Sequence, residues 1–219
     1  MKTHIKIKNN IFNTCLTAIF NPIVTYECIM PDKDKIRSYY EGGILVILAL
    51  ATHMTSIYLT HAPLASIDPL NASILVEIAR IIVPFFTWVV SYYAVTSIMD
   101  GETSIDEIFV ASAYSLVPYI VVTFLTTVFS NIMATEEIGL FNFIQSFMWL
   151  WMGFLFFLNL KIMNNYSFKK SISVFILVLF GMALIWAVVI LFYVLTNNLW
   201  TFVAALQREL HILHIEGAW

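Results

Sequence analysis

The sequence predicts an all-α polytopic membrane helix bundle: five transmembrane helices with an amphipathic interfacial helix at each end. Three observations predict it. Hydrophobic residues make up 60 % of the 219-residue chain and charged residues 11 %, against roughly 45–50 % and 25 % in soluble domains. A soluble fold cannot hide that much apolar surface, so lipid is the solvent for much of it. Five stretches reach the roughly 20 apolar residues that a helix needs to cross a bilayer. And nine of the 11 Lys and Arg residues fall on one side of those five spans.

The elements follow in chain order. Met1 to Asn10 is basic. Ile11, Phe12, Cys15, Leu16, Ile19, Phe20 and Ile23 then recur at helical spacing, which fits a helix lying on the inner leaflet, broken by Pro22 and Pro31. Asn13, Thr14, Asn21, Pro22 and Glu27 interrupt this stretch too often for a signal peptide. The spans run from about Gly43 to Leu59, Leu75 to Met99, Ile108 to Ile132, Ile138 to Ile162 and Ile172 to Leu195. Helix-stop chemistry separates them: Pro63, Pro69 and Asn71 after the first, Asp100-Gly101-Glu102 after the second, Asn164-Asn165 after the fourth and Asn197-Asn198 after the fifth. Beyond lies an apolar stripe, Leu199, Phe202, Val203, Leu206, Leu210 and Leu213. Gln207, Arg208, Glu209 and His211 sit off it. A charge at a span centre costs about 2.5–3.5 kcal/mol, so Trp200 to Ile215 reads as an amphipathic helix on the outer surface. The expected organisation is thus a cytoplasmic segment 1–42, a membrane domain 43–198 and an outer helix 199–219.

Orientation follows from the basic residues. Lys2, Lys6, Lys8, Lys33, Lys35 and Arg37 precede the first span, and Lys161, Lys169 and Lys170 flank the fourth loop; only Arg80 and Arg208 fall opposite. This places the N-terminus in the cytoplasm and the C-terminus outside. Cys15 and Cys28, the only cysteines, then lie in a reducing compartment, which argues against a disulfide. A net charge of −3 suggests no nucleic-acid partner.

Polar residues inside spans are the candidates for function. Glu77 and Arg80 stand at i and i+3 near the outer end of the second span and can pair on one face. Headgroup snorkelling explains them as well as a cavity does. His53, Glu77, Arg80, Trp88, Asn142 and Gln145 match in depth and suit an outward-facing polar cavity, although polar side chains in spans also serve to bond helix to helix. Pro84 and Pro118, inside the second and third spans, are expected to kink them; two kinked neighbours frame a pocket or merely shape the bundle. No catalytic motif of the HExxH, GxSxG or P-loop type is present, and Glu136-Glu137 suit the start of the fourth helix. His211 and His214 are explained by a surface helix, so no metal and no cofactor are assigned.

From Arg80 to Tyr119 the sequence reads Arg80-Ile-Ile-Val-Pro84, Trp88, Asp100-Gly101-Glu102, Ile108-Phe109, then Ala113-Tyr114-Ser115-Leu116-Val117-Pro118-Tyr119. This run resembles the Yip family of five-span membrane proteins first known as interactors of Ypt/Rab GTPases, and more closely its bacterial branch. The acidic Gly101 loop followed by the Ala-Tyr-x-Leu-x-Pro span, with Tyr114 and Pro118, carries most of the likeness; Asn21-Pro22 and the basic stretch from Lys161 to Lys170 extend it. The resemblance implies five helices and a cytoplasmic N-terminus. In eukaryotic members it implies trafficking through prenylated GTPases. The long N-terminal region and the Tyr-Gly-Pro-type motif of those members are absent here, so GTPase binding is not carried over.

The expected function is a non-catalytic membrane protein that assembles with a membrane-protein partner or with itself, in the plasma membrane of a bacterium. A small transporter using the outer cavity is the alternative. An intramembrane enzyme ranks third, because Glu77 is the one acid within the assigned spans.

Overall fold

The computed structural model describes residues 11–29, 35–60, 64, 72–133 and 135–216. The described residues form eight α-helices: α1 Ile11–Phe20, α2 Pro22–Ile29, α3 Lys35–Leu59, α4 Ile74–Ile98, α5 Ile105–Ser115, α6 Val117–Ser130, α7 Ile138–Met163 and α8 Phe168–Glu216. Among the described residues five segments are long and apolar enough to cross a membrane: Tyr39–Leu59, Ile74–Ile98, Ile105–Ser130, Ile138–Met163 and Phe168–Arg208. The basic residues Lys2, Lys6, Lys8 and Lys33, and the stops Pro63, Pro69 and Asn71, lie outside the described residues.

The third span is the central one. Ile108 and the run from Val110 to Ile120 are buried without a break, while other spans bury only one stripe. Pro118 divides this span. It has no N–H to donate back to the carbonyl of Tyr114, so α5 stops and α6 restarts with Pro118 in its first turn. Around it, α3 lies against α5 and α6, α7 against α6 and α5, and α4 against α5 and α3. Pro84, by contrast, is held inside an unbroken α4.

Two stops expected from sequence have a common geometry. Asp100 and Asn165 adopt left-handed backbone, φ 55° and 53°, which short polar side chains tolerate. Each ends its helix in a Schellman-type closure: Gly101 N–H bonds the Thr96 carbonyl at 2.8 Å, and Tyr166 N–H bonds the Lys161 carbonyl at 3.1 Å. Gly101 is required there by space. A Cβ would stand 2.6 Å from Asn164 Oδ1 and 2.9 Å from the Thr96 carbonyl oxygen. Gly101→Ala is expected to lower stability by about 1–3 kcal/mol through overpacking, read as an earlier thermal unfolding midpoint in detergent. A wild-type midpoint would show that the loop gives way freely.

Two expectations are corrected. Asn197-Asn198 does not end the fifth span: α8 runs through it for 49 residues without a break, so the span and the outer amphipathic helix are one element. The reason is propensity. Each Asn costs a helix at most about 0.7 kcal/mol, and no Gly, Pro or left-handed residue is there to stop it. The second correction is at the first span, which starts at Tyr39 rather than Gly43 and so includes a second acid, Glu41. The N-terminal segment breaks at Pro22 as expected, but it is packed as well as amphipathic. Ala18, Thr25 and Tyr26 are fully buried, and Phe12 and Phe20 are exposed.

Candidate functional site

Among the described residues four polar clusters cross the bundle, and the first joins three spans near the start of α4. Glu77 lies in the first turn of α4, where the helix dipole favours a carboxylate. Its side chain is 4 % exposed. One oxygen, Oε2, receives both Arg80 Nη1 from the next turn and His53 Nε2 from α3, each at 3.2 Å. A carboxylate only accepts, so Nε2 carries the imidazole proton. In the neutral ring Nδ1 is then an acceptor, and the Tyr119 hydroxyl of α6 donates to it at 2.7 Å. The cluster therefore holds α3, α4 and α6 together, and the half-exposed Arg80 is its open end.

A second cluster lies deeper. Trp88 Nε1 donates to Ser112 Oγ at 3.1 Å, and Asn159 Nδ2 approaches the same oxygen at 3.4 Å. The Trp88 ring packs against Phe156, Phe175 and Tyr92, with centroids 4.8, 5.7 and 5.8 Å away. The third cluster closes the opposite end: Asn164 Nδ2 donates to Tyr92 Oη at 2.9 Å, and Thr103 Oγ lies 2.9 Å from both Asn164 Oδ1 and the Met163 carbonyl. In the fourth, Tyr114 Oη donates to Glu41 at 2.8 Å, and Tyr26 Oη lies 2.8 Å from Ser115 Oγ.

Of the six residues expected to line a cavity, the structure brings His53, Glu77 and Arg80 together. Trp88 belongs to the deeper cluster. Gln145 donates to Thr126 Oγ at 3.1 Å, tying α7 to α6. Asn142 is exposed, its carbonyl accepting the Ser146 hydroxyl. Pro84 passes its carbonyl to Thr87 Oγ at 3.0 Å. Sequence reasoning missed Tyr119, Glu41, Ser112 and Asn159. Glu41 was findable, since Tyr39 and Tyr40 mark an aromatic boundary before it. Ser112 and Asn159 carried no signal, because a small polar residue in a span has many possible neighbours.

Burial tunes the groups near the N-terminal helices. The Cys15 thiol is pushed up to about 11, mainly by burial and further by the nearby Glu41 carboxylate. Burial likewise raises Tyr26 and, with the Asp100 charge, Tyr166. The half-buried thiol thus favours its neutral form. Its contribution to stability is full below about pH 9 and is lost as pH rises toward 11. In a Cys28→Ser variant, alkylation of Cys15 at pH 7.5 is expected to be about a hundredfold slower than in the denatured chain. Equal rates would remove the buried placement of α1.

The Yip1-domain profile matches residues 16–205, most of the chain. The chain belongs to the Yip1-domain family. No curated protein and no solved structure matches it. The Yip1 match takes in all or most of every span, and with them all four polar clusters; the last turns of α8 lie beyond it. The family likeness expected from the run between Arg80 and Tyr119 is therefore shown, and that run contributes Arg80, Trp88, Tyr92, Thr103, Ser112, Tyr114, Ser115 and Tyr119 to the clusters.

Proposed function

We propose that this Yip1-family protein is a non-catalytic membrane component that assembles with a partner within and beside the bilayer. The observation that supports it is α8. It packs against α4 and α7 at its start, and then carries exposed apolar side chains from Leu184 to Leu206. The polar clusters fit the same reading: their bonds run from helix to helix, as expected of interhelical fastenings in lipid. The bias of basic residues supports a cytoplasmic N-terminus and an outer C-terminus, and a bacterial plasma membrane is the setting proposed. Purification from native membranes in mild detergent tests the reading. The expected product is an assembly larger than the single chain; a lone monomer under those conditions would overturn it.

A second reading, small-molecule or ion transport, draws on the open Arg80 end of the His53–Glu77–Arg80 cluster. Liposome flux unchanged by Glu77→Ala with Arg80→Ala ends that reading.

A further inference from the structure

We infer that the distal part of α8 pairs with α8 of a second copy of this chain, as a parallel two-stranded coil outside the membrane. The inference rests on the assembly reading above and names the partner.

Length excludes lipid as the cover for this part of the helix. The apolar stretch Phe168–Arg208 has 41 residues, about 61 Å at 1.5 Å per residue. Fitting that into a hydrocarbon core of about 30 Å needs a tilt near 60°, beyond the roughly 0–40° that spans adopt. Even at 40°, about 26 residues suffice to cross; counted from Ile172, beyond the loop residues Lys169 and Lys170, the crossing ends near residue 197. Leu199, Val203 and Leu206 therefore stand outside the hydrocarbon, and they are 63 %, 47 % and 47 % exposed. The helix is unbroken from the span to Glu216, so this row cannot lie down on the bilayer surface.

Nor, among the described residues, does the chain's own bundle cover the row. Ser91 Oγ donates to the Val178 carbonyl at 2.7 Å, which fixes the level of α8 against the antiparallel α4. The first residue of α4, Ile74, lies 17 residues from Ser91. Equal rise puts it level with about residue 195 of α8. From there on, α8 stands clear of α4, and a second copy can approach.

The spacing selects a helix as partner. Val189, Thr196, Val203 and Leu210 recur every seven residues, interleaved with Phe192, Leu199, Leu206 and Leu213. These are the a and d positions of a heptad, with Thr196 the one polar exception. The flanking positions favour a second copy. In a parallel pair each g residue faces the e residue five positions on in its partner. Two identical chains then match Leu195 with Trp200, Phe202 with Gln207 and Glu209 with His214. None of the three pairs sets like charges together. Both copies share one membrane orientation, so the pairing is parallel by necessity.

Cysteine scanning tests it. In a Cys15→Ser, Cys28→Ser background in native membranes, oxidative cross-linking of Leu199→Cys, Val203→Cys and Leu206→Cys is expected to exceed that of Thr201→Cys and Ala205→Cys by about tenfold. Leu199→Asp with Leu206→Asp is expected to cut the dimer fraction about tenfold, with the helical content by circular dichroism and the thermal unfolding of the monomer bundle unchanged because both sites lie outside the bundle. Uniform or absent cross-linking overturns the second copy. So does a native assembly holding one copy of this chain and a different protein, although the broader assembly reading survives that result. A lone monomer overturns both.

Discussion

Glu77→Ala is expected to destabilise the bundle by about 2–4 kcal/mol, and Arg80→Ala by less than about 1 kcal/mol. The asymmetry follows from exposure. Removing one partner of a buried ion pair costs about 3–5 kcal/mol because it strands the other. Here the stranded groups differ. Arg80 is 55 % exposed and finds water or headgroups, so its lost bond is discounted heavily. His53 is 14 % exposed. It loses the acceptor that fixes its proton on Nε2, and with that the ring orientation that lets Nδ1 accept from Tyr119. One substitution on α4 thus loosens α3 from α6. Glu77→Gln keeps an oxygen acceptor for His53 and is expected to recover most of the loss. His53→Ala with Glu77→Ala is expected to cost less than the sum of the two single changes, since the residues share one hydrogen bond. Unfolding midpoints of the variants in one detergent read all of these. A larger loss for Arg80→Ala than for Glu77→Ala would mean that the exposed arm, not the buried carboxylate, holds the cluster.

The same exposure pattern separates what was legible in the sequence from what was not. Span number and approximate position were legible because lipid imposes a length and an apolar composition that the chain states directly. The ends at Asp100 and Asn165 were legible because a left-handed residue needs a short polar or absent side chain, and Asp-Gly and Asn-Asn advertise it. The same dipeptide misled at Asn197-Asn198. There the following residues, Leu199 to Leu206, keep a helical pattern, and a stop needs a change of pattern as well as a weak residue. Within the site, Glu77 and Arg80 announced themselves because they share one helix at i and i+3. His53 and Tyr119 are separated by 66 positions, and only the packing of α3 on α6 reveals that they meet. Tyr119 also lies next to Pro118, whose break sets where α6 begins and hence which way its first-turn side chains face. The proline was visible; the direction it gave to Tyr119 was not.

Trp88→Ala is expected to cost about 2–4 kcal/mol, Ser112→Ala about 1–3 and Trp88→Phe about 1–2. In a soluble core, Trp→Ala costs about 3–5 kcal/mol, part of it for transferring the side chain out of water. In lipid that part shrinks, because an unpacked Trp88 still sits among hydrocarbon. The void remains. Phe156, Phe175 and Tyr92 lose ring contacts at 4.8 to 5.8 Å between centroids, each worth about 0.5–1.5 kcal/mol, and the surrounding helices cannot close over the space. The hydrogen bond is a separate quantity, and two further variants isolate it. Trp88→Phe keeps most of the ring and removes the N–H. Ser112→Ala keeps the ring and leaves that N–H buried without its acceptor, at about 1–3 kcal/mol, and it also removes the oxygen that Asn159 approaches from α7. Asn159 Oδ1 is already buried without a partner among the described residues, so Ser112→Ala leaves that side chain with no bond at either end. Trp88→Ala is therefore expected to lower the unfolding midpoint most and Trp88→Phe least, with Ser112→Ala between them. If Ser112→Ala proved as damaging as Trp88→Ala, the hydrogen bonds through Ser112 rather than the aromatic packing would be what joins α4, α5 and α7 at the centre of the bundle.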